Sequence, residues 1–456
     1  MQLTCFKSYD IRGRLGPELN EGVVALIGRA FGQVLGVSRV VLGHDCRASS
    51  QALAGAVAVG LQKAGVEVLD IGLCGTEEVY FATDHLGAGG GIQVTASHNP
   101  MDYNGMKLVK AGSAPLEPGL LAQIKALAES GDFSPAAPGR VTIMDTRAAY
   151  VARVLSFVDI AALKPLHILV NAGNGTAGPT FDALALALAA RGAPLTFTRL
   201  HHQPDGTFPN GIPNPQLPEN QPMTADAVRA AVADFGVAWD GDFDRCFLFD
   251  HEGAFVPGEY VVGLLAEAFL AKHPGATVIH DPRVVWNTQD VVARAGGRAV
   301  MAQTGHAFLK ARMRETGAIY GGEMSAHHYF RDFMACDSGM IPWLLVAELL
   351  SRRGCSLRDV LAAARAAFPS SGEINFRVSD APATVARIEA AYAPQAQSRS
   401  DLDGLSLEFG DWRFNLRASN TEPLLRLNVE SRGLPDLVAA KVVEISALIG
   451  GQGASD

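Results

Sequence analysis

The sequence predicts an α/β protein in which three rounds of strands and helices precede a smaller α+β unit. Short apolar runs of strand length alternate with helix-period segments up to about Phe368. Three of those runs lead directly into polar loops that carry chemically capable side chains. After Phe368 the texture changes to closely spaced strands with two helices.

The elements follow in order. Arg39 to Gly43 reads as a strand, Ser50 to Lys63 as a helix, Val66 to Leu69 as a strand, and Gly91 to Thr95 as a strand ending at Ser97. A Pro/Gly-rich stretch, Phe133 to Gly139, separates this round from the next. His167 to Val170 and Leu195 to Leu200 then read as strands flanking an Ala/Leu-rich helix, Gly178 to Ala190, and Gly236 to Trp239 as a strand running into three aspartates. The third round has a helix from Gly258 through Ala271 and strands at Thr277 to His280 and Ala318 to Tyr320. In the last unit Gly372 to Val378, Leu405 to Phe409, Trp412 to Leu416 and Leu424 to Val429 read as strands, with helices at Pro382 to Tyr392 and Pro435 to Leu448. Ala393 to Ser400 reads as a loop and Gly450 to Asp456 as a frayed tail.

At 456 residues the chain exceeds one ordinary core. With 48% hydrophobic and 19% charged residues it falls among globular enzymes, and its net charge of -9, without any Lys/Arg run, argues against a nucleic-acid partner. The N-terminus shows no secretory pattern and no apolar run is long enough to span a bilayer, so no membrane partner is expected and a cytoplasmic location is. Six cysteines stand far apart with no C-x-x-C, as suits reduced structural thiols.

Four segments carry the chemistry. Ser97, in Thr95-Ala96-Ser97-His98-Asn99-Pro100, is either a turn residue or a hydroxyl that carries a group, and the G-x-S-x-G elbow of serine hydrolases is absent. Asp240, Asp242 and Asp244 alternate just after an apolar strand. Three like charges so close repel unless a cation neutralises them, and an all-carboxylate set suits Mg²⁺. The glycine and distal glutamate of an EF-hand loop are missing, and a haloacid-dehalogenase-type D-x-D fits poorly because Asp244 stands at its fifth position. Arg417-Ala418-Ser419-Asn420-Thr421 gathers a guanidinium, two hydroxyls and an amide in one loop, which suits a phosphate monoester as well as a capping turn. Glu323, Ser325 and His327 can face vicinal sugar hydroxyls, whereas the His201-His202 pair reads as incidental. A hydroxyl that can carry phosphate beside a candidate divalent-metal triad points to phosphoryl transfer.

Taken together, TASHNP with NGMK, DGDFDR, GEMSAHH and RASNTEP, in this order and spacing, resemble the α-D-phosphohexomutases, and the chain is similar to the bacterial phosphomannomutase/phosphoglucomutase group from YDIRG to its final helix. GTEEVYFATDHL, NAGNG, PNGIPNP and DSGMIPWLL add to the resemblance. It implies four domains around a central cleft, three of them mixed α/β three-layer domains and the last a smaller C-terminal α+β domain, divided at 1–145, 146–251, 252–368 and 369–456. It implies a phosphoserine at Ser97, one Mg²⁺ per chain held by Asp240, Asp242, Asp244 and a phosphoryl oxygen on Ser97, and a hexose 1,6-bisphosphate as intermediate and activator. Arg12, Lys107 and Arg245 would neutralise the transferring group, Lys107, ahead of His98, would handle the proton, and His327 would serve both catalysis and sugar binding. Glu323 and Ser325 would read the sugar, Arg417, Ser419, Asn420 and Thr421 would hold the far phosphate, and Arg283 and His306 would add contacts. A hinge near Pro369 to Gly372 would let the last domain close.

The implied activity interconverts mannose 6-phosphate and mannose 1-phosphate and also the glucose pair, in a monomer that supplies precursors of nucleotide sugars. Competing readings are a Mg²⁺-dependent sugar phosphatase, a silent sugar-phosphate-binding protein, and a mutase specialised for phosphoglucose or phosphoglucosamine; Met324 stands where the glucosamine enzymes tend to carry Gln. Two positions depart from the commoner family pattern, in which Phe243 and Ala326 would each be glycine.

Overall fold

The computed structural model describes residues 2–283, 285–418 and 424–450. The chain forms two compact units, one built from Met1–Phe255, Met313–Gly317 and His327–Gly354, the other from Val256–Arg312, Ala318–Ala326 and Cys355–Asp456.

The first unit begins with a mixed sheet. Its strands lie in the order Ile11–Arg14, Tyr103–Lys110, Gly90–Val94, Arg39–His44, Glu67–Leu73, Val141–Ile143, and a short strand, Ala114–Pro115, pairs with Tyr103–Lys110. The four from Gly90–Val94 to Val141–Ile143 run parallel, while Tyr103–Lys110 is antiparallel to both of its long neighbours. Period-2 alternation decides which core each side chain enters. Val40, Leu42 and Val68 pack with the helices Glu21–Leu35, Ser50–Lys63 and Pro118–Ser130, whereas Val41 and Leu69 pack with the helix Thr76–His85 on the other face. That is a three-layer arrangement, and it explains why Gly90–Val94 is buried along its whole length.

The second sheet sets Cys246–Asp250, Phe235–Trp239, Leu166–Asn171 and Leu195–Leu200 side by side, the first pair antiparallel and the others parallel. The first unit also holds the antiparallel pair His328–Phe330 and Cys336–Asp337 and the long buried helix Met340–Arg353. In the second unit Thr277–His280 lies parallel to both Arg298–Met301 and Tyr320–Gly322. There too a five-stranded antiparallel sheet runs Ser370–Arg377, Leu424–Ser431, Trp412–Ala418, Leu405–Glu408, Ser398–Ser400, with the helices Ala381–Tyr392 and Pro435–Ile449 contributing to its core.

The structure corrects several boundaries. Ala393 to Ser400 is not a plain loop, because it holds a 3₁₀ turn, Ala393–Gln395, and the edge strand Ser398–Ser400. An exposed edge strand of Ser and Arg has no apolar signature to read. The strand expected at Val66 to Leu69 spans Glu67–Leu73, continuing past Asp70, which accepts the Gly72 amide at 2.8 Å. The strand expected at Ala318 to Tyr320 lies at Tyr320–Gly322, where two glycines weaken the sequence signal. Gly372 falls inside the strand Ser370–Arg377, at a break in register between Ser370 and Glu373 and with φ +67°. Among the described residues no helix is long and apolar enough to cross a membrane.

Candidate functional site

Two strands of the first unit bring the serine and the aspartates together. Gly90–Val94 and Phe235–Trp239 are both wholly buried, and each ends on a polar loop at its carboxyl end. Ser97 Oγ donates to Asp240 Oδ2 at 2.7 Å, across 143 residues of sequence. Gly241 is required here, since a Cβ on it would sit 2.6 Å from the Ser97 carbonyl oxygen. Ser97 itself adopts a left-handed φ of +49°.

The three carboxylates are buried, and one oxygen from each lies within 4.8 Å of the others. Arg245 Nε donates to Asp240 Oδ2 at 2.9 Å. Lys107 Nζ donates to Asp242 Oδ2 at 2.8 Å and also to Asp244 Oδ2. Among the described residues Asp242 Oδ1 and Asp244 Oδ1, both buried, have no hydrogen-bond partner. Burial works against the Lys107 ammonium, yet Asp242 and Asp244 outweigh it and hold the group above its ordinary value. Burial alone would raise the Asp242 carboxyl, but Lys107 and Thr76 hold it below the usual range. Asp244, pressed by burial and by the Asp242 charge, is pushed up to about 7. Two orphaned carboxylate oxygens in an oxygen-only set fit a hard divalent cation, and Lys107 adds a positive charge beside them.

The other expected residues of this unit fall around the same point. His98 Nδ1 accepts from Arg245 Nη2 at 2.5 Å and lies 3.0 Å from Ser97 Oγ. Burial and the Arg245 charge push this imidazole well below its ordinary value, so it is neutral. Arg12 donates to the Thr95 carbonyl at 2.8 Å, two residues before the serine, and lies 3.6 Å from Asp10. His327 Nδ1 is 3.0 Å from Asp337 Oδ2 and 3.9 Å from Asp244 Oδ1. Lys107, held by two aspartates, is a proton donor in this state and has no lone pair with which to accept.

A second cluster lies in the other unit. Asp281 Oδ2 accepts from Arg283 Nε at 3.0 Å, from its Nη2 at 2.5 Å and from the Met324 amide at 3.1 Å. Arg283 then reaches Ser325 Oγ at 3.4 Å, Glu323 at 3.9 Å and Glu373 at 3.1 Å. Glu373 also takes Arg417 at 3.1 Å and Arg426 at 3.3 Å. Burial would raise its carboxyl, but the three guanidinium groups bring it down to about 2. Glu323 Oε1 accepts the Gly305 amide at 2.8 Å, which places His306, the first residue of the helix His306–Thr316, beside the loop that carries Glu323 and Ser325. Ser419, Asn420 and Thr421 lie outside the described residues.

Some residues of these clusters had no role legible in the sequence. Buried Arg47 donates to the carbonyls of Ser97 at 2.9 Å, Asn99 at 2.5 Å, Pro100 at 2.9 Å and Tyr103 at 3.3 Å, so it wraps the serine loop. Asp45 accepts the Arg47 amide at 2.9 Å and Thr95 Oγ1 at 2.7 Å. Asp337, Asp281 and Glu373 are further cases. Each looks like a surface charge in sequence; a charged residue at a strand's carboxyl end, as Asp45 and Asp281 are, was the available clue.

Comparison with known proteins places these clusters in context. The chain matches the phosphoglucomutase/phosphomannomutase alpha/beta/alpha domain I over residues 4–135, domain II over 148–253, domain III over 257–368, and the C-terminal domain over 373–447. It is 59% identical over 451 residues to a phosphomannomutase of Salmonella montevideo, covering 98% of this chain and 99% of the relative. It is 56% identical over 457 residues to a protein of Xanthomonas campestris pv. campestris named phosphohexose mutases, covering 99% and 100%. Among solved structures, a phosphoglucomutase/phosphomannomutase family protein from Burkholderia thailandensis superposes with a TM-score of 0.86 at 32% identity, covering 99% and 98%. The chain therefore belongs to the phosphoglucomutase/phosphomannomutase family, within the α-D-phosphohexomutase superfamily.

Proposed function

We propose that this protein is a phosphomannomutase, an isomerase that interconverts mannose 6-phosphate and mannose 1-phosphate and acts also on the glucose pair. The observation that carries the reading is the 2.7 Å contact between Ser97 Oγ and Asp240 inside a buried, cation-demanding carboxylate cluster. Relatives at 55–59% identity over nearly the whole chain bear the name phosphomannomutase, and the one at 56% named phosphohexose mutases supports the wider hexose range.

In this reading Asp240, Asp242 and Asp244, with an oxygen of phosphorylated Ser97, would hold Mg²⁺, which when bound would neutralise charge on the transferring phosphoryl group. Arg245 pairs with Asp240 and keeps it beside the serine. During transfer the P–Oγ bond of phosphoserine 97 breaks and a bond forms to a sugar hydroxyl, whose proton leaves. The resulting hexose 1,6-bisphosphate then returns its other phosphoryl group to Ser97. Among the candidate proton carriers His327 brings an imidazole to the cluster and Lys107, held as an ammonium by two aspartates, can donate, whereas the Nδ1 lone pair of His98 is already taken by Arg245. Lys107 and Arg12 serve as fixed positive charges on the serine side. Glu323, Ser325, His306 and His327 read the sugar; Arg283 and Arg417, with Ser419, Asn420 and Thr421, take the non-reacting phosphate. The four-domain division at 145/146, 251/252 and 368/369, a cytoplasmic location and a monomeric state complete the proposal.

Initial rates with mannose 1-phosphate and glucose 1-phosphate test it, with Mg²⁺ and a trace of glucose 1,6-bisphosphate present. Both 6-phosphates should form without free phosphate, and Ser97→Ala should abolish turnover while sugar-phosphate binding persists. Phosphate release without isomerised product would overturn the mutase in favour of a phosphatase.

A further inference from the structure

The stretch Gly75-Thr76-Glu77-Glu78 opens the helix Thr76–His85 and takes no part in the chemistry above. Its first turn nevertheless meets the acidic loop at three points. The Thr76 amide, which no helical carbonyl can satisfy, donates to the Asp242 backbone oxygen at 3.1 Å. Thr76 Oγ1 donates to Asp242 Oδ2. Gly75 faces the Phe243 ring so closely that a Cβ on it would lie 2.1 Å from Cε1 and 2.4 Å from Cζ.

These contacts divide the labour between the two oxygens of Asp242. Oδ2 receives both Thr76 Oγ1 and Lys107 Nζ, whereas Oδ1 is buried and has no hydrogen-bond partner among the described residues. A carboxylate anchored by two donors on one oxygen has a fixed rotamer, and the other oxygen is the one left to ligate. Phe243 is fully buried with φ +43°, so its ring pins the loop at the height that the backbone contact from Thr76 requires.

We propose that Thr76 is a positioning residue for the metal ligand Asp242, with the fit of Gly75 against Phe243 setting the height of the loop. The proposal rests on reading Asp240, Asp242 and Asp244 as a divalent-cation site, and the experiment separates the two. Mn²⁺ binding to the full chain is measured by electron paramagnetic resonance, which needs no turnover, for wild type, Asp242→Asn, Thr76→Val, Thr76→Ser, Gly75→Ala and Gly75→Ala with Phe243→Leu.

Thr76→Val should weaken Mn²⁺ affinity about tenfold or more, the range for loss of a partner that orients a ligand, and Thr76→Ser should restore it. Gly75→Ala should weaken it to a similar degree, and Phe243→Leu, which removes the two nearest ring atoms, should recover most of the loss. Raising Mg²⁺ should restore kcat in Thr76→Val, since the defect lies in holding the metal. Thr76→Val with wild-type Mn²⁺ affinity, or Thr76→Ser as weak as Thr76→Val, overturns the role of Thr76. If Asp242→Asn binds Mn²⁺ as well as wild type does, the metal site itself is misread and the proposal falls with it. Should Thr76→Val fail to fold, the Gly75→Ala pair decides: no loss in the single variant, or no recovery in the double, refutes the proposal.

Discussion

Replacing Lys107 by Met should destabilise the protein in a way that rises with pH and that Mg²⁺ cancels. Lys107 is 7% exposed and bonds to Asp242 and Asp244, whose side chains are 0% and 2% exposed. Breaking a buried ion pair by removing one partner costs about 3–5 kcal/mol, because the charge left behind has no water. The lower end applies at pH 7, since Asp244, already pushed up to about 7, takes a proton once the ammonium is gone. In wild type the folded-state value of this carboxyl lies above the unfolded one, so its contribution to stability declines as pH rises and levels off above about 7. In the variant that value moves higher still, and the decline continues at about 1.4 kcal/mol per pH unit where wild type is flat. The deficit should thus grow from about 3 kcal/mol at pH 7 to about 5 at pH 8.5, or from roughly 3 °C to roughly 5 °C in the unfolding midpoint at this size. Scanning calorimetry of both proteins at the two pH values, with and without saturating Mg²⁺, measures this directly. A deficit independent of pH, or one that Mg²⁺ leaves unchanged, would refute the reasoning.

Two other substitutions probe backbone and loop. Val232, which ends the helix Gln221–Ala231 at φ +51° and is 84% exposed, holds a β-branched side chain in the left-handed region, so Val232→Gly should raise stability by about 0.5–1 kcal/mol in thermal unfolding; a lower midpoint would contradict this. Arg47→Lys cannot reproduce a fork that reaches four carbonyls, so kcat should fall about tenfold or more with Mn²⁺ affinity little changed; kcat within about twofold of wild type would show that the serine loop holds itself.

What the sequence reveals follows physical lines. Ser97 and the aspartates are legible because each sits just past a buried apolar strand, and strand ends in an α/β sheet converge. The Ser50–Lys63 helix matches its sequence reading to the residue, since its apolar face has no interruption. The strand Tyr103–Lys110 stays hidden because Asn104, Gly105 and Lys107 break its pattern, each for a reason local to the site: Asn104 bonds to Ser49 and Ser50, Gly105 lies against the Ile11 carbonyl, and Lys107 serves the aspartates. The roles of Arg47, Thr76, Asp337 and Glu373 stay hidden for a different reason. Their partners include residues remote in the chain, such as Asp242 for Thr76 at 166 residues away, and no local pattern encodes such a pairing.

The two departures from the commoner family pattern show how the site is held. Phe243 and Ala326 both adopt left-handed backbone, at φ +43° and +68°, the conformation in which glycine carries no penalty. A side chain there costs roughly 1–2 kcal/mol. At Phe243 the ring is fully buried, and burial of a Phe side chain is worth about 1.5–3 kcal/mol, enough to offset the strain. The exchange has a structural consequence. A glycine between Asp242 and Asp244 would leave the aspartate loop free to sample other conformations, whereas the Phe243 ring can occupy its place beside Gly75 in one loop geometry. Ala326 is nearly as buried, at 4% exposure, but its methyl group supplies far less burial to balance the same torsion. Its amide donates to the Glu323 carbonyl at 3.1 Å, so the strained residue closes the turn that carries Glu323 and Ser325. In this chain, therefore, the aspartate loop is fixed by side-chain packing, and the Glu323–Ala326 loop by a hydrogen-bonded turn that bears its strain with little packing to compensate.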